Sequence, residues 1–68
     1  MRSGPKRERK EPVPRYFSIK GVAEALDVST RTVRRWIAAG ELIAYRLNGV
    51  VRIAETDLLA FLAARRET

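Results

Sequence analysis

The chain lacks both cysteine and histidine. No disulfide or thiolate metal site is available, and the commonest general base and metal ligand are missing. Carboxylates are present but scattered, mostly beside arginines, and form no catalytic constellation. There is also no phosphate loop. Neither an enzymatic activity nor a cofactor is expected. Long apolar runs are absent as well, with none approaching a membrane span or the apolar stretch of a signal peptide. A cytosolic protein without a membrane partner is expected. Acidic residues are in deficit, 8 against 14 Lys plus Arg, and the formal net charge is +6 over 68 residues. So basic a short chain points to a polyanion, nucleic acid before an anionic membrane. The length allows one small domain with a small core and marginal stability.

The rest of the chain is organised around Val22 to Gly40, VAEALDVSTRTVRRWIAAG. Ile19, Val22, Ala23 and Leu26 recur at i, i+3, i+4, i+7 and predict a helix over Ile19 to Leu26, with Ser18 as its N-cap. Asp27-Val28-Ser29 breaks that pattern. Ser29 is suited to cap a second helix, Thr30 to Ala39, and Gly40 to stop it. Two short helices so joined form a helix-turn-helix, whose second helix is the usual groove reader. On that helix Val33, Trp36 and Ile37 fall together and face inward. Arg31, Arg35 and Ala38 fall opposite, with Thr32 and Arg34 on the flanks. A solvated charged face is the plain alternative; the preceding helix, the tight turn and the overall charge favour DNA. The planar fork of arginine suits guanine edges and phosphates alike.

Residues 1–14, MRSGPKRERKEPVP, read as a basic arm in front of a domain spanning residues 15–68. Its composition does not support independent folding. Such an arm either follows phosphates or enters a minor groove, or simply solubilises the chain; both readings stay open. Tyr16 and Phe17 are expected to cover the end of the core. Gly21, inside the first helix, suggests close approach of another backbone. Lys20, near that helix's start, is a candidate phosphate contact.

After Gly40 the period changes. Ile43 to Leu47 and Val50 to Ile53 are β-prone runs joined by Asn48-Gly49, a strong signal for a hairpin with a type I′ turn. A hairpin directly after a reading helix resembles a wing, and Arg46 and Arg52 suit phosphate or minor-groove contact. Alternation places Ala44, Arg46, Val51 and Ile53 on one face, and Ile43, Tyr45, Leu47, Val50 and Arg52 on the other. Val51 and Ile53 are expected in the core. The second face either meets a neighbouring molecule or is partly buried as the wing curls, and curling is the expectation taken here. A last helix, Glu55 to Arg66, carries the apolar stripe Leu58, Leu59, Phe61 and Leu62. Glu55 and Asp57 in its first turn and Arg65 and Arg66 in its last suit the helix dipole.

TRTVRRWIAAGEL, a short hairpin and then RIAETDLLAFLAARR resemble the excisionase family over about Tyr16 to Arg66. These recombination directionality factors are phage and mobile-element DNA-binding proteins related to the MerR-type winged helix. The likeness rests on Thr32-Val33-Arg34-Arg35-Trp36 with a small residue and Gly after it, and on Ile53, Asp57, Leu58, Phe61 and Leu62. It implies that Arg31, Thr32, Arg34 and Arg35 approach the major groove, and that Arg46 and Arg52 approach the adjacent minor groove. Ser29 and Thr30 at the helix start and Asn48 at the hairpin tip are counted with them. Two residues depart from the family pattern. Asp27 stands where the turn often has Gly, though Asp tolerates the left-handed conformation. Ala54 stands where a better cap is common, which implies a loose start to the last helix.

The fold expected is mainly α, a winged helix-turn-helix of three helices plus a two-stranded wing. Family members bind side by side on an attachment site, bend it and help a tyrosine integrase excise a prophage; other members regulate transcription. The sequence shows no heptad coiled coil for a stable dimer and no effector domain after the last helix. That favours an architectural excisionase, with double-stranded DNA, a tyrosine integrase and further copies of itself as partners, on DNA in a bacterial host cell. A small transcriptional regulator and a protein-interaction module are the alternatives.

Overall fold

The computed structural model describes residues 15–67; the expected basic arm, residues 1–14, lies outside the described residues. In chain order the elements are β1 (Tyr16–Phe17), α1 (Ile19–Leu26), α2 (Thr30–Ala38), β2 (Tyr45–Leu47), β3 (Val50–Ala54) and α3 (Glu55–Ala64). The architecture is a winged helix-turn-helix.

Local chemistry sets the ends of the first two helices. The Ser18 hydroxyl accepts from the Gly21 amide at 2.9 Å, and the Ser29 hydroxyl accepts from Thr32 at 3.1 Å. Each satisfies an amide that a helix start leaves open. Helix α1 ends on Asp27 in the left-handed region, φ 59° and ψ 47°. There the Val28 amide donates to the Ala23 carbonyl and the Asp27 amide to Glu24, a Schellman end built without glycine. Helix α2 ends the same way at Gly40, whose φ is +78°: Glu41 donates to Trp36 and Gly40 to Ile37. The interhelical turn is therefore only Asp27-Val28-Ser29, a stop followed at once by a start, and Val28 packs against the core.

The hairpin closes through Asn48 and Gly49 at φ 53° and 84°, the double positive φ of a type I′ turn. Leu47 pairs with Val50, Arg46 with Val51 and Tyr45 with Arg52. A third strand joins this expected pair: β1 runs antiparallel to β3, with Tyr16 opposite Ala54 and Phe17 opposite Ile53, giving the order β1-β3-β2. Two residues are too short a run for alternation to register in sequence. One core holds the elements together, formed by Val22 and Ala23 of α1, Val33 of α2, Leu42, Ile53 of β3, and Leu58 and Phe61 of α3. Trp36 is half-buried and meets Phe61 with ring centroids 4.8 Å apart.

Five expectations change. Tyr16 does not cover the core but stays 43% exposed, while Phe17 packs against it. Leu59 is outside the apolar stripe of α3, at 56% exposure. Arg65 and Arg66 lie beyond the last turn, which ends at Ala64; Arg65 instead stacks on the Phe61 ring, 3.9 Å from its centroid, and pairs with Glu41 at 2.8 Å. The nearest neighbour of a side chain placed at Gly21 is the capping Ser18 hydroxyl, 3.3 Å away, not another backbone. Curling of the wing does not bury its outer face: Tyr45, Leu47 and Val50 stay 43–47% exposed. The reason is topological. Pairing places Phe17, Ile53 and Val51 on one side of the sheet, where α1 packs, and Tyr45, Leu47 and Val50 on the other.

Candidate nucleic-acid interface

Helix α2 has the sequence TRTVRRWIA, three arginines and no acid in nine residues. Val33 is fully buried, which fixes the rotation of the helix and leaves Arg31, Arg34, Arg35 and Ala38 exposed. Arg31 and Arg35, one turn apart, form one stripe; Arg34 and Ala38 form another beside it. Among the described residues the one salt bridge joins Arg65 to Glu41. The guanidiniums of Arg31, Arg34, Arg35 and Arg46 therefore have no carboxylate within ion-pairing distance there. Exposed, and without a carboxylate partner among the described residues, they suit an anionic ligand.

Thr32 is partly turned inward. Its hydroxyl oxygen accepts from the Ser29 hydroxyl at 3.1 Å, which leaves the threonine proton to donate outward. Ser29 itself is engaged in capping through both roles of its hydroxyl. Thr30 opens the helix and is partly covered, and Lys20 stands exposed in the first turn of α1. Asn48 is exposed at the hairpin tip, where its backbone makes the turn.

The two wing arginines part company. Arg46 pairs with Val51 on the face of the sheet turned to the helices, and Arg52 pairs with Tyr45 on the opposite face. Arg52 is half-buried and donates from Nη1 to the Val51 carbonyl at 2.8 Å. Arg46 instead comes together with Arg34 of α2 across an open groove of about 220 Å³ that Ile19, Ile37, Ala38 and Val51 also line. Ile19 and Ile37 pack against the core as expected and also line this groove, whereas Val51, expected in the core, is half-buried and faces the groove. Alternation and helical period identify the face of each residue, but no sequence signal brings the wing face against the flank of α2.

Tertiary contacts also hold the wing from behind. The Tyr45 hydroxyl donates to the Asp57 carboxylate in the first turn of α3 at 3.1 Å, and the Tyr45 ring meets Tyr16 edge to face. That hydrogen bond, helped by the charge of Asp57, holds the Tyr45 phenol above its ordinary pKa. The start of α3 is tied down as well: Ala54 makes no side-chain cap, but the Glu55 amide donates to the Arg15 carbonyl at 2.7 Å. A neighbouring strand segment thus supplies the cap that Ala54 lacks.

The described residues hold no cluster of acids fit to bind a metal ion, and no helix long and apolar enough to cross a membrane. Among known proteins, a family model described as a helix-turn-helix domain matches residues 16–66. The chain is 47% identical over 45 residues to the excisionase of Mycobacterium phage D29, an alignment spanning 66% of this chain and 80% of the phage protein. No solved structure matches.

Proposed function

The chain belongs to the helix-turn-helix domain family, with a phage excisionase among its relatives, and on that premise we propose that it is a DNA-binding excisionase of a phage or mobile element. The observation that carries this reading is the exposed face of α2, with Arg31, Arg34 and Arg35 free of carboxylates among the described residues and Arg46 of the wing beside them. Helix α2 enters the major groove, where Arg31, Thr32 and Arg35 address base edges, and the wing lies over the adjacent backbone. Lys20 adds a phosphate contact, and the arm of residues 1–14 extends the basic track. The protein does no chemistry of its own. It shapes attachment-site DNA so that a tyrosine integrase excises instead of integrating.

One such module covers about one helical turn, too little for a decisive choice among genomic sites. Function therefore requires several copies, and the exposed outer face of the wing supports contact between them. A head-to-tail contact uses two different surfaces and does not close, so copies line up along the duplex and bend it. Footprinting on the attachment region of the source element tests the reading. Several adjacent sites in one orientation support an excisionase; a single palindromic site makes a small transcriptional regulator the better description. Retention of a protein partner in excess DNA, with no salt-steep DNA binding, would make it an interaction module. Gel-shift titration on one, two and three adjacent sites tests assembly. Cooperative loading should weaken in Leu47→Ser and Val50→Ser variants, and independent loading unchanged by them excludes the head-to-tail arrangement.

A further inference from the structure

The groove between α2 and the wing has an unusual division of chemistry. Four of its six lining residues, Ile19, Ile37, Ala38 and Val51, are apolar, and the other two are Arg34 and Arg46. Resting on the duplex-DNA reading above, we infer that this groove seats one sugar–phosphate strand. A deoxyribose lies on the apolar floor, and Arg34 and Arg46 hold the phosphates on either side of it.

Charge and shape select this occupant. At about 220 Å³ and open to solvent, the groove is smaller than the roughly 300–1,000 Å³ of ordinary small-molecule sites. Its floor carries no side-chain donor or acceptor, so it cannot read the polar edge of a base. A bare inorganic anion would leave the apolar floor unused. A sugar ring flanked by two phosphates uses both parts. Position agrees: with α2 in the major groove and the wing beyond it, the strand that separates major from minor groove passes between the two.

Two consequences follow. Arg34 and Arg46 set register without reading sequence, and discrimination among bases falls to Arg31, Thr32 and Arg35. The floor also favours deoxyribose, since a 2′-hydroxyl laid on it would lose water and gain no partner.

The test uses the full chain and a duplex that the chain itself selects from a random pool. Arg34→Ala and Arg46→Ala should each flatten the slope of log K against log salt by about 0.9, and together by about 1.8. Preference for the selected over a scrambled duplex should not change. Methylphosphonates scanned along each strand should weaken wild-type binding at two neighbouring phosphates of one strand, one effect vanishing in each variant. A single ribonucleotide between them should weaken binding about tenfold, with a 2′-fluoro sugar tolerated. Ala38→Leu, at an exposed position, should weaken it by a similar factor with an unchanged unfolding midpoint. Assignment of the two arginines to opposite strands, relaxed sequence preference in either variant, or tolerance of the ribonucleotide would overturn the inference and leave the functional reading intact. Failure of the wild-type chain to select any duplex would overturn both.

Discussion

Arg35 and Trp36 are neighbours in sequence with opposite duties. Arg35 is exposed on the stripe away from the wing, and Trp36 turns in to meet Phe61. Arg35→Ala should weaken specific binding by about 1–3 kcal/mol and relax preference at one base position, the size of a lost bidentate base contact. Comparison of selected with random duplex checks this; equal loss on both would make Arg35 a phosphate contact. Trp36→Ala should destabilise the fold by about 3 kcal/mol, the low end for a large aromatic because Trp36 is only half-buried. In so small a domain that is a large share of the total. Urea unfolding measures it, and a variant of wild-type stability with poor DNA affinity would make Trp36 a base-stacking residue instead.

At the scale of elements, the helix-turn-helix is fixed by its ends. Asp27 stops α1 and Ser29 starts α2 with a single residue between them, so the crossing of the two helices has little freedom. The Ser29 hydroxyl serves the helix start, so the place proposed for it in DNA binding is indirect. Two substitutions separate these roles. Ser29→Ala should lower stability by about 1 kcal/mol, as loss of an N-cap does. Ser29→Asp keeps a good cap, so stability should be retained while DNA affinity falls, because a carboxylate then faces the phosphates. Thermal unfolding with a parallel gel shift decides. If Ser29→Asp binds as the wild type does, the start of α2 lies away from the duplex.

For the whole molecule, α3 braces both halves of the proposed interface. Its first turn holds the wing through Asp57 and Tyr45, and just past its end Arg65 pairs with Glu41, which follows α2. The Arg65–Glu41 pair is about half exposed, so its ionic part contributes at most about 1 kcal/mol; stacking on Phe61 adds packing. The Tyr45 pair has a pH signature. Its phenol is held above its ordinary value by the hydrogen bond to Asp57, so folding favours the protonated form. That contribution is fully present below about pH 10, the unfolded value, and is lost as pH rises through the higher folded value. Denaturant midpoints should therefore fall more steeply above about pH 10 in the wild type than in Tyr45→Phe. Parallel profiles would show that Tyr45 and Asp57 do not interact in solution.

The sequence alone determined what depends on near neighbours. Helical period, the two serine caps, Asp27 and Gly40 at the left-handed positions, and Asn48-Gly49 defined α1, α2 and the hairpin, because caps and turns are chemistry over three or four residues. The basic face of α2 followed from the same period. Tertiary structure decided what depends on distant residues. It paired β1 with β3, gave α3 a backbone cap from Arg15, and excluded Leu59 from the core. It also kept the outer face of the wing open and set Arg46, but not Arg52, opposite Arg34. Each rests on partners at least twelve positions apart or on how one element lies against another. Local periodicity carries a residue's face but not what that face meets.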